Sequence, residues 1–326
     1  MYKLICFFLA VTLIFSCETD FDVNADWQEV TILYGLLDQN SEIQFIKINK
    51  AFLGRDDALV MASISDSSNF NPNNLLVKIY KLKQSNFGSF VLLDSIVLTD
   101  TVVIKDEGVF PTDNNIMYKF YSPGFLSANS TYSVTVENIL TGNLVSANTE
   151  LINGFSFETF NPSFDFGFYN EAIGYISKTL TWQKSTNGEI YQLDLIFNYT
   201  EDNDTTKYSA TWSQPLVENS GGNLMNTQFD GESFFNFLET QIDVNENIIR
   251  RFVDLDIRMT VGTEDLQTYI NVNQPYSSIV QERPSFSNIN NGIGLFSARY
   301  TYLVSGIGLT NGTRSYIVND LNLSFQ

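Results

Sequence analysis

QEVTILYGLLDQNSEIQFIKINKAF, residues 28–52, indicates the class of fold that the rest of the chain follows. Both ends of this stretch are rich in β-branched and aromatic residues, and DQNS between them has the composition of a turn. Two such runs joined by a short turn predict a β-hairpin. Because similar runs recur along the chain, the hairpin predicts a mainly β protein.

Short strand-like runs follow the hairpin throughout the first half of the chain. They are separated by turn-forming segments such as NFG, SPG and TGN, and no βα unit lies between them. This spacing favours an antiparallel, Ig-like β-sandwich over a parallel sheet. We therefore predict an N-terminal β-sandwich domain over residues 27–152. The runs are NLLVKIYKL (74–82), SFVLLDSIVL (89–98), NIMYKFYS (115–122), TYSVTVENI (131–139) and NLVSANTEL (143–151).

A second β-rich, sandwich-like domain is predicted over residues 153–326, with one or two short helices. ESFFNFLETQI (232–242) has apolar residues near a helical period. TEDLQTYINV (263–272) offers Thr263 as a cap and two acidic residues in the first turn. Strand patterns occur at ISKTLTW (176–182), EIYQLDLIFNYT (189–200), TKYSATWSQ (206–214), FVDLDIRMTVG (252–262), IGLFSARYTYLVSGIGL (293–309) and RSYIVNDLNLSF (314–325).

Seven aromatic residues crowd the segment GFSFETFNPSFDFGFY, residues 154–169, at the start of the second domain. One interpretation is packing at the domain junction or under a sheet edge. The other is an exposed platform for a sugar ring or a partner protein, since aromatic residues are enriched at binding hot spots. Packing is the preferred interpretation.

The composition excludes much common enzymology. The chain of 326 residues contains no His, so it has no Ser-His or Cys-His pair and no imidazole metal ligand. It shows no P-loop, no GxGxxG after a strand and no GxSxG elbow. We therefore expect no catalytic residue and no cofactor. A carboxylate-based glycosidase is the remaining catalytic alternative, because that chemistry needs only two acids.

The balance of charge is strongly acidic, with 37 Asp+Glu against 18 Lys+Arg. Nucleic-acid binding depends on clustered basic residues that neutralise phosphates. An acidic excess of this size repels phosphates. The sequence therefore predicts no nucleic-acid partner.

The first residues have the layout of a secretory signal peptide, with Lys3 before the apolar residues 4–15. That apolar run is shorter than the roughly 20 residues of a spanning helix. Ser16 followed by Cys17 resembles the lipobox of bacterial lipoproteins, in which the chain is cut before a Cys that becomes acylated. The resemblance implies a signal peptide over residues 1–16 and a lipid anchor on Cys17. An ordinary signal peptide with an unmodified Cys is the alternative.

An acidic tether, CETDFDVNAD (17–26), follows the predicted cleavage site. Such a run resembles the signal that sends Bacteroidota lipoproteins to the outer face of the outer membrane. A merely solvated spacer is the equal alternative. Only two Cys occur in the chain, so with Cys6 removed and Cys17 acylated the mature body would have no thiol for a disulfide or a metal site.

Two further kinds of site have partial signals in the sequence. The turns EDNDTT (201–206) and DVNEN (243–247) offer oxygens that suit calcium, but neither has EF-hand spacing, so we interpret them as solvated turns and predict no metal site. Two Asp-Ser/Thr-apolar tripeptides, together with Asp204-Thr205-Thr206, resemble the O-glycosylation signal of exported Bacteroidota proteins. Their hydroxyl residues are Ser95, Thr101 and Thr205.

The early hairpin, together with SFSNINNGIGLFSARYTY (285–302), resembles an uncharacterised Bacteroidota outer-membrane lipoprotein family. The late Asn-Gly-x-Gly-x-Phe pattern of that family falls on Asn291, Gly292, Gly294 and Phe296. The resemblance implies a candidate partner, because such genes often lie beside TonB-dependent receptors, and it carries over no catalytic residue. From the residues alone, the two glycines predict a turn and a close backbone approach.

These observations predict a lipid-anchored outer-membrane protein, exposed at the cell surface, with a non-enzymatic binding or accessory role. The alternatives are a glycan-binding subunit of a nutrient-uptake system, a carboxylate-dependent hydrolase and an adhesin. A glycan-binding subunit requires exposed aromatic rings, and a hydrolase requires two acids that face each other across a cleft.

Overall fold

A computed structural model describes residues 30–51, 68–104, 115–202, 204–219, 221–275 and 285–326. Ser16, Cys17 and the acidic tether lie outside these residues. The fold is mainly β, as predicted, with several antiparallel sheets and with helices in the C-terminal half. The strands are β1 (Thr31–Asp38), β2 (Ile43–Lys50), β3 (Leu75–Gln84), β4 (Phe90–Val97), β5 (Thr99–Val102), β6 (Ile116–Tyr121), β7 (Thr131–Asn138), β8 (Leu144–Glu150), β9 (Tyr169–Asn170), β10 (Gly174–Tyr175), β11 (Lys178–Gln183), β12 (Ile190–Glu201), β13 (Tyr208–Ser213), β14 (Val217–Glu218), β15 (Leu224–Phe229), β16 (Arg250–Gly262) and β17 (Gly292–Ile307). The helices are α1 (Gly231–Gln241), α2 (Glu264–Asn273) and α3 (Asn311–Asn319).

One nine-stranded sheet contains strands from both halves of the chain. Its order is β13-β12-β16-β17-β1-β2-β6-β5, and β14 pairs with β12. The strands β1 and β17 run parallel, with Thr31 opposite Gly292, whereas the other pairs in this sheet are antiparallel. The first predicted strand is therefore hydrogen-bonded to a strand of the second predicted domain.

The N-terminal core is sandwiched between the four-stranded sheet β4-β3-β7-β8 and the β1–β2 part of the large sheet. Alternate residues of β7 face this core: Tyr132, Val134 and Val136 are buried, whereas the residues between them are partly exposed. This is the period of two that a half-buried strand requires. Phe296 and Ala298 of β17 complete the core from the C-terminal half.

The C-terminal core lies between β12, β16 and β17, the two-stranded sheet β11–β15, and helix α1. The aromatic segment 154–169 packs into it. Phe166 and Phe168 are buried, and Phe168 stacks on Phe234 of α1 with ring centroids 4.0 Å apart. Of the seven rings, only Phe164 is exposed. The packing interpretation is therefore confirmed, and this segment does not form an exposed platform.

Both predicted helices are present, but the cap predicted for the second helix, Thr263, does not form. The Asp230 carboxylate accepts a hydrogen bond from the Ser233 amide at the start of α1. Thr263 occupies the N-cap position of α2, but its hydroxyl bonds to the Ser297 hydroxyl and makes no cap hydrogen bond. The first turn of α2 still carries Glu264 and Asp265, which suit the positive end of a helix.

The prediction of a strand over residues 314–325 is wrong, because this region begins with helix α3. Its run of Tyr316, Ile317 and Val318 has the composition of a strand. Tertiary contacts override that preference. The buried Thr313 hydroxyl accepts hydrogen bonds from the backbone amides of Phe168 and Tyr169, at 2.8 and 3.2 Å.

The late glycine motif has the structural role that was predicted for it. A Cβ added to Gly292 would lie 2.8 Å from the Thr31 carbonyl oxygen. Gly294 has a φ of 124° and directly faces the backbone of Leu33. The two glycines therefore allow β17 to approach β1 closely, and this confirms the predicted close backbone approach.

Candidate functional site

A polar cleft of about 410 Å³ lies where the four-stranded sheet meets the start of β12 and of α2. Both halves of the chain contribute to it, so neither predicted domain could form it alone. One wall consists of Phe90, Thr131, Asn148, Thr149 and Glu150, and the other of Asn187, Glu189, Thr263, Glu264 and Asp265.

Asn187 joins the two walls of the cleft. Its side-chain amide donates hydrogen bonds to the Leu151 carbonyl oxygen at 3.0 Å and to the Glu150 carboxylate at 3.2 Å. Its backbone has a φ of 63°, a left-handed conformation that Asn tolerates better than most residues. The turn before β12 therefore holds the last residue of β8 in place.

Two further carboxylates of the cleft are engaged by neighbouring side chains. Glu189 accepts hydrogen bonds from Lys184 Nζ at 2.6 Å and from Asn219 Nδ2 at 2.9 Å. Burial alone would raise the pKa of Glu189, but these two donors hold it below its ordinary value. Asp265 accepts a hydrogen bond from Asn288 Nδ2 at 2.8 Å. Neighbouring side chains therefore fix the position of both carboxylates by donating hydrogen bonds to them.

The side chains at the mouth of the cleft remain accessible. Glu264 and Asn148 are exposed, and Phe90 at the rim is about half exposed. Carboxylate and amide groups can orient a polar ligand, and an aromatic ring can cover an apolar face of it. The cleft therefore combines directional polar contacts with one flat apolar contact.

A second concavity, of about 470 Å³, lies between α2 and the β1–β2 hairpin. Tyr34 and Tyr269 meet edge to face there, with ring centroids 6.0 Å apart. The hydrogen bond between their hydroxyls, together with burial, raises the pKa of Tyr34 to about 12. The Asp38 carboxylate accepts a hydrogen bond from the Thr301 hydroxyl at 2.8 Å and forms an ion pair with Arg299 Nε at 3.3 Å. This groove presents mainly apolar surface, so it suits a polar ligand less well than the cleft does.

The predicted modification sites are not brought together by the fold. Ser95 is exposed on β4, Thr101 is partly exposed on β5, and Thr205 is exposed in the turn after β12. None of these residues lines the cleft. Their glycosylation stays a prediction, as does the lipidation of Cys17.

The two acidic turns that offered oxygens for calcium lie beside each other and are joined by Arg250. Its guanidinium donates to the Glu201 carboxylate at 3.0 Å and to the Asp243 carbonyl oxygen at 2.9 Å. An arginine thus supplies the positive charge at this position. Within the ranges that the structure describes, no group of three or more acidic side chains is placed to hold a metal ion.

Sequence reasoning missed a polar network on the outer face of the large sheet. The Asn198 amide donates to Asp254 and Asp256, at 2.8 Å each, and Lys207 lies 2.9 Å from Asp254. The alternation of Asp and apolar residues in FVDLDIR was the available signal. Because the two acids are neighbours on one strand and share these partners, they do not form the facing pair that a glycosidase needs.

Comparisons with known proteins do not assign this site. No family model and no curated protein matches the chain. Among solved structures, the crystal structure of CBD12 from CALX1.2 is similar over 83% of this chain and 100% of that chain, with 9% identity and a TM-score of 0.15. A similarity this weak supports no inference about the fold or the function.

Among the residues that the structure describes, no helix has the length and apolar character needed to cross a membrane.

Proposed function

We propose that this chain is a lipid-anchored outer-membrane lipoprotein, displayed at the cell surface, whose body binds a ligand without converting it. The observation that carries the binding role is the polar cleft, which both halves of the chain build and which Asn187 joins. The Ser16–Cys17 pair and the acidic tether support the anchor and its location.

The state of the acids in the cleft supports binding over hydrolysis. A two-carboxylate glycosidase needs one acid with a raised pKa to protonate the leaving group. Glu189 has a lowered pKa and accepts hydrogen bonds from Lys184 and Asn219, so it does not suit that role. Asp265 and Glu150 each accept a hydrogen bond from a side-chain amide, and such fixed acceptors can orient a ligand.

A glycan is the ligand class that the cleft suits best. Sugar rings present apolar faces that can stack on an aromatic ring, and their hydroxyls exchange hydrogen bonds with carboxylates and amides. Phe90 offers such a ring beside Asn148 and Thr131. The buried segment 154–169 offers no comparable platform.

A TonB-dependent outer-membrane receptor is the partner that the family resemblance suggests. We propose that the chain acts beside such a receptor as an accessory protein. Affinity capture of the acylated protein from outer membranes should recover the receptor. Recovery of the chain without any outer-membrane receptor would contradict this part of the proposal.

Metabolic labelling with a radioactive fatty acid tests the anchor. The wild-type chain should be labelled, and Cys17→Ala should lose the label because the acylated thiol is gone. Cys6→Ala is the matched control and should keep the label, since that residue lies in the predicted signal peptide. Equal labelling of the wild type and Cys17→Ala would rule out the anchor.

Affinity electrophoresis in gels that contain dextran, xylan or mannan tests glycan binding by the unacylated full chain. At least one polysaccharide should retard the protein, and Phe90→Ala should weaken binding about fivefold by removing the ring contact. Phe87→Ala is the control, because Phe87 is exposed but does not line the cleft. Lack of retardation in all three gels, or an equal effect of both variants, would contradict a glycan site at the cleft.

A further inference from the structure

The β3–β4 hairpin differs in charge from the rest of the chain. Its residues, 75–97, include Lys78, Lys81 and Lys83 against one acid, Asp94, which lies opposite Lys81, although the whole chain has 37 Asp+Glu against 18 Lys+Arg. Within a strongly acidic protein, this hairpin is therefore a local basic surface.

The same hairpin exposes apolar side chains on both of its faces. Phe90 and Leu92 point to one face of β4 and Val91 to the other, because successive strand residues alternate. Each of these side chains is more than half exposed. Phe87, in the turn between the strands, is 97% exposed. The hairpin thus exposes apolar side chains on both faces of β4 and in the turn, where Phe87 stands among the polar residues Gln84, Asn86 and Ser89.

β4 is also an edge strand, because within the described residues it pairs with β3 alone. It has one charged side chain, Asp94, and a register irregularity opposite Lys81 and Leu82, but it carries no Lys, Arg or Pro. Soluble monomers seldom leave a contiguous apolar surface of this kind without a partner. The exposed strand therefore indicates a contact outside the folded chain.

We propose that the β3–β4 hairpin contacts the surface of a lipid bilayer that contains anionic headgroups. A bilayer interface can surround the hairpin tip, whereas a docked protein surface would cover only one face of β4. Aromatic rings favour the interfacial depth of a bilayer, which suits Phe87 in the turn. Lysine ammonium groups are attracted to the phosphates, and Lys78 and Lys83 lie beside the apolar residues Val97 and Val91 in the strand register.

The proposed lipid on Cys17 would keep the body near such a surface. Twelve residues, 18–29, separate Cys17 from the first described residue, Val30, and a chain of that length spans at most about 45 Å. Held at that distance, the hairpin would meet the bilayer at a high effective concentration. The inference rests on the proposed anchor only for this proximity.

Co-sedimentation with vesicles tests the contact, using the full chain with Cys17→Ala so that no lipid is attached. Vesicles of phosphatidylcholine mixed with phosphatidylglycerol should bind the protein, vesicles of phosphatidylcholine alone should bind it weakly, and added salt should reduce binding. Phe87→Ser should lower the partition coefficient about tenfold. Replacing Lys78 and Lys83 by Gln should lower it about twentyfold. Phe164→Ser, which changes an exposed ring outside the hairpin, should leave it unchanged.

Three results would overturn the proposal, provided that circular dichroism shows the variants to be folded. The first is no binding to anionic vesicles. The second is an equal effect of Phe87→Ser and Phe164→Ser. The third is a doubled mass in light scattering that Leu92→Lys abolishes, which would assign the hairpin to a second copy of the chain. Failure of the anchor is measured separately by fatty-acid labelling and does not alter these readings.

Discussion

Gly294 of β17 lies opposite Leu33 of β1 in the parallel pair, with no space for a side chain between the two backbones. A Cβ on Gly294 would collide with the Leu33 carbonyl oxygen, and the φ of Gly294 is 124°. Gly306, in the same strand, also has a positive φ of 80°, but a Cβ added there would have no atom within 4 Å of it. A substitution at Gly306 would therefore introduce only backbone strain, whereas a substitution at Gly294 would introduce strain and a collision.

We expect Gly294→Ala to lower the free energy of unfolding by about 3 kcal/mol or more, since conformational strain adds to a collision with backbone atoms. Gly306→Ala should cost about 1 kcal/mol, because it introduces only the strain. Urea unfolding of the full chain measures both values. Equal losses would contradict the close approach of β17 to β1.

Removal of the Arg250 guanidinium should also destabilise the fold strongly. Arg250 is buried, and it binds Glu201 together with the carbonyl oxygens of Asp243 and Leu323. Arg250→Met should lower the free energy of unfolding by about 3 kcal/mol, because buried acceptors lose their donor. The neighbouring exposed Arg251 provides the control, and Arg251→Met should cost less than about 0.5 kcal/mol. Similar costs for the two variants would show that Arg250 is not the link between the acidic turns.

The Thr313 hydroxyl should stabilise the junction of α3 with the aromatic segment. Thr313→Val keeps the shape of the side chain but leaves the amides of Phe168 and Tyr169 without their acceptor. We expect a loss of about 2 kcal/mol. Thr313→Ser retains the hydroxyl and should cost about 0.8 kcal/mol, the value of one lost methyl group. Thermal unfolding of both variants compares them, and a milder effect for Val than for Ser would contradict this assignment.

Glu189 should make a pH-dependent contribution to stability. Its folded-state pKa lies below its ordinary value of 4.5. The contribution is therefore present above pH 4.5 and is lost as the pH falls through the lowered folded-state pKa. Because the side chain is partly exposed, the contribution should be no more than about 1 kcal/mol. The unfolding free energies of wild type and Glu189→Gln should differ at pH 7 and converge in acid. A difference that stays the same at both pH values would contradict this assignment.

The strands could be predicted from the sequence because their period survives in the structure. In β7 and β12 the residues that face the core alternate with more polar ones, and this pattern depends only on the local chain. The residues of α3 show the limit of such reasoning. The helix there depends on a hydrogen bond between Thr313 and the Phe168 amide. These residues are 145 positions apart, so a short stretch of sequence cannot show the contact.

The candidate site could not be predicted for a related reason. The cleft brings together side chains from β4, β7, β8, the turn before β12 and the start of α2. Asn187 gave no signal in the sequence, because its role depends on its left-handed backbone and on the position of Glu150. The sequence shows how many acids the chain has, but it does not show which of them accept hydrogen bonds from neighbouring side chains.

The shared strand β17 also delays the completion of the N-terminal core. The C-terminal core draws all its buried residues from position 152 onward, whereas the N-terminal core needs Phe296 and Ala298. A growing chain leaves the ribosome with its N-terminal half first, and contacts between distant positions form slowly. The N-terminal core therefore stays incomplete until β17 has been made. The C-terminal core needs Leu309 and Phe325, which follow β17, so neither core is complete before the last stretch of the sequence is present.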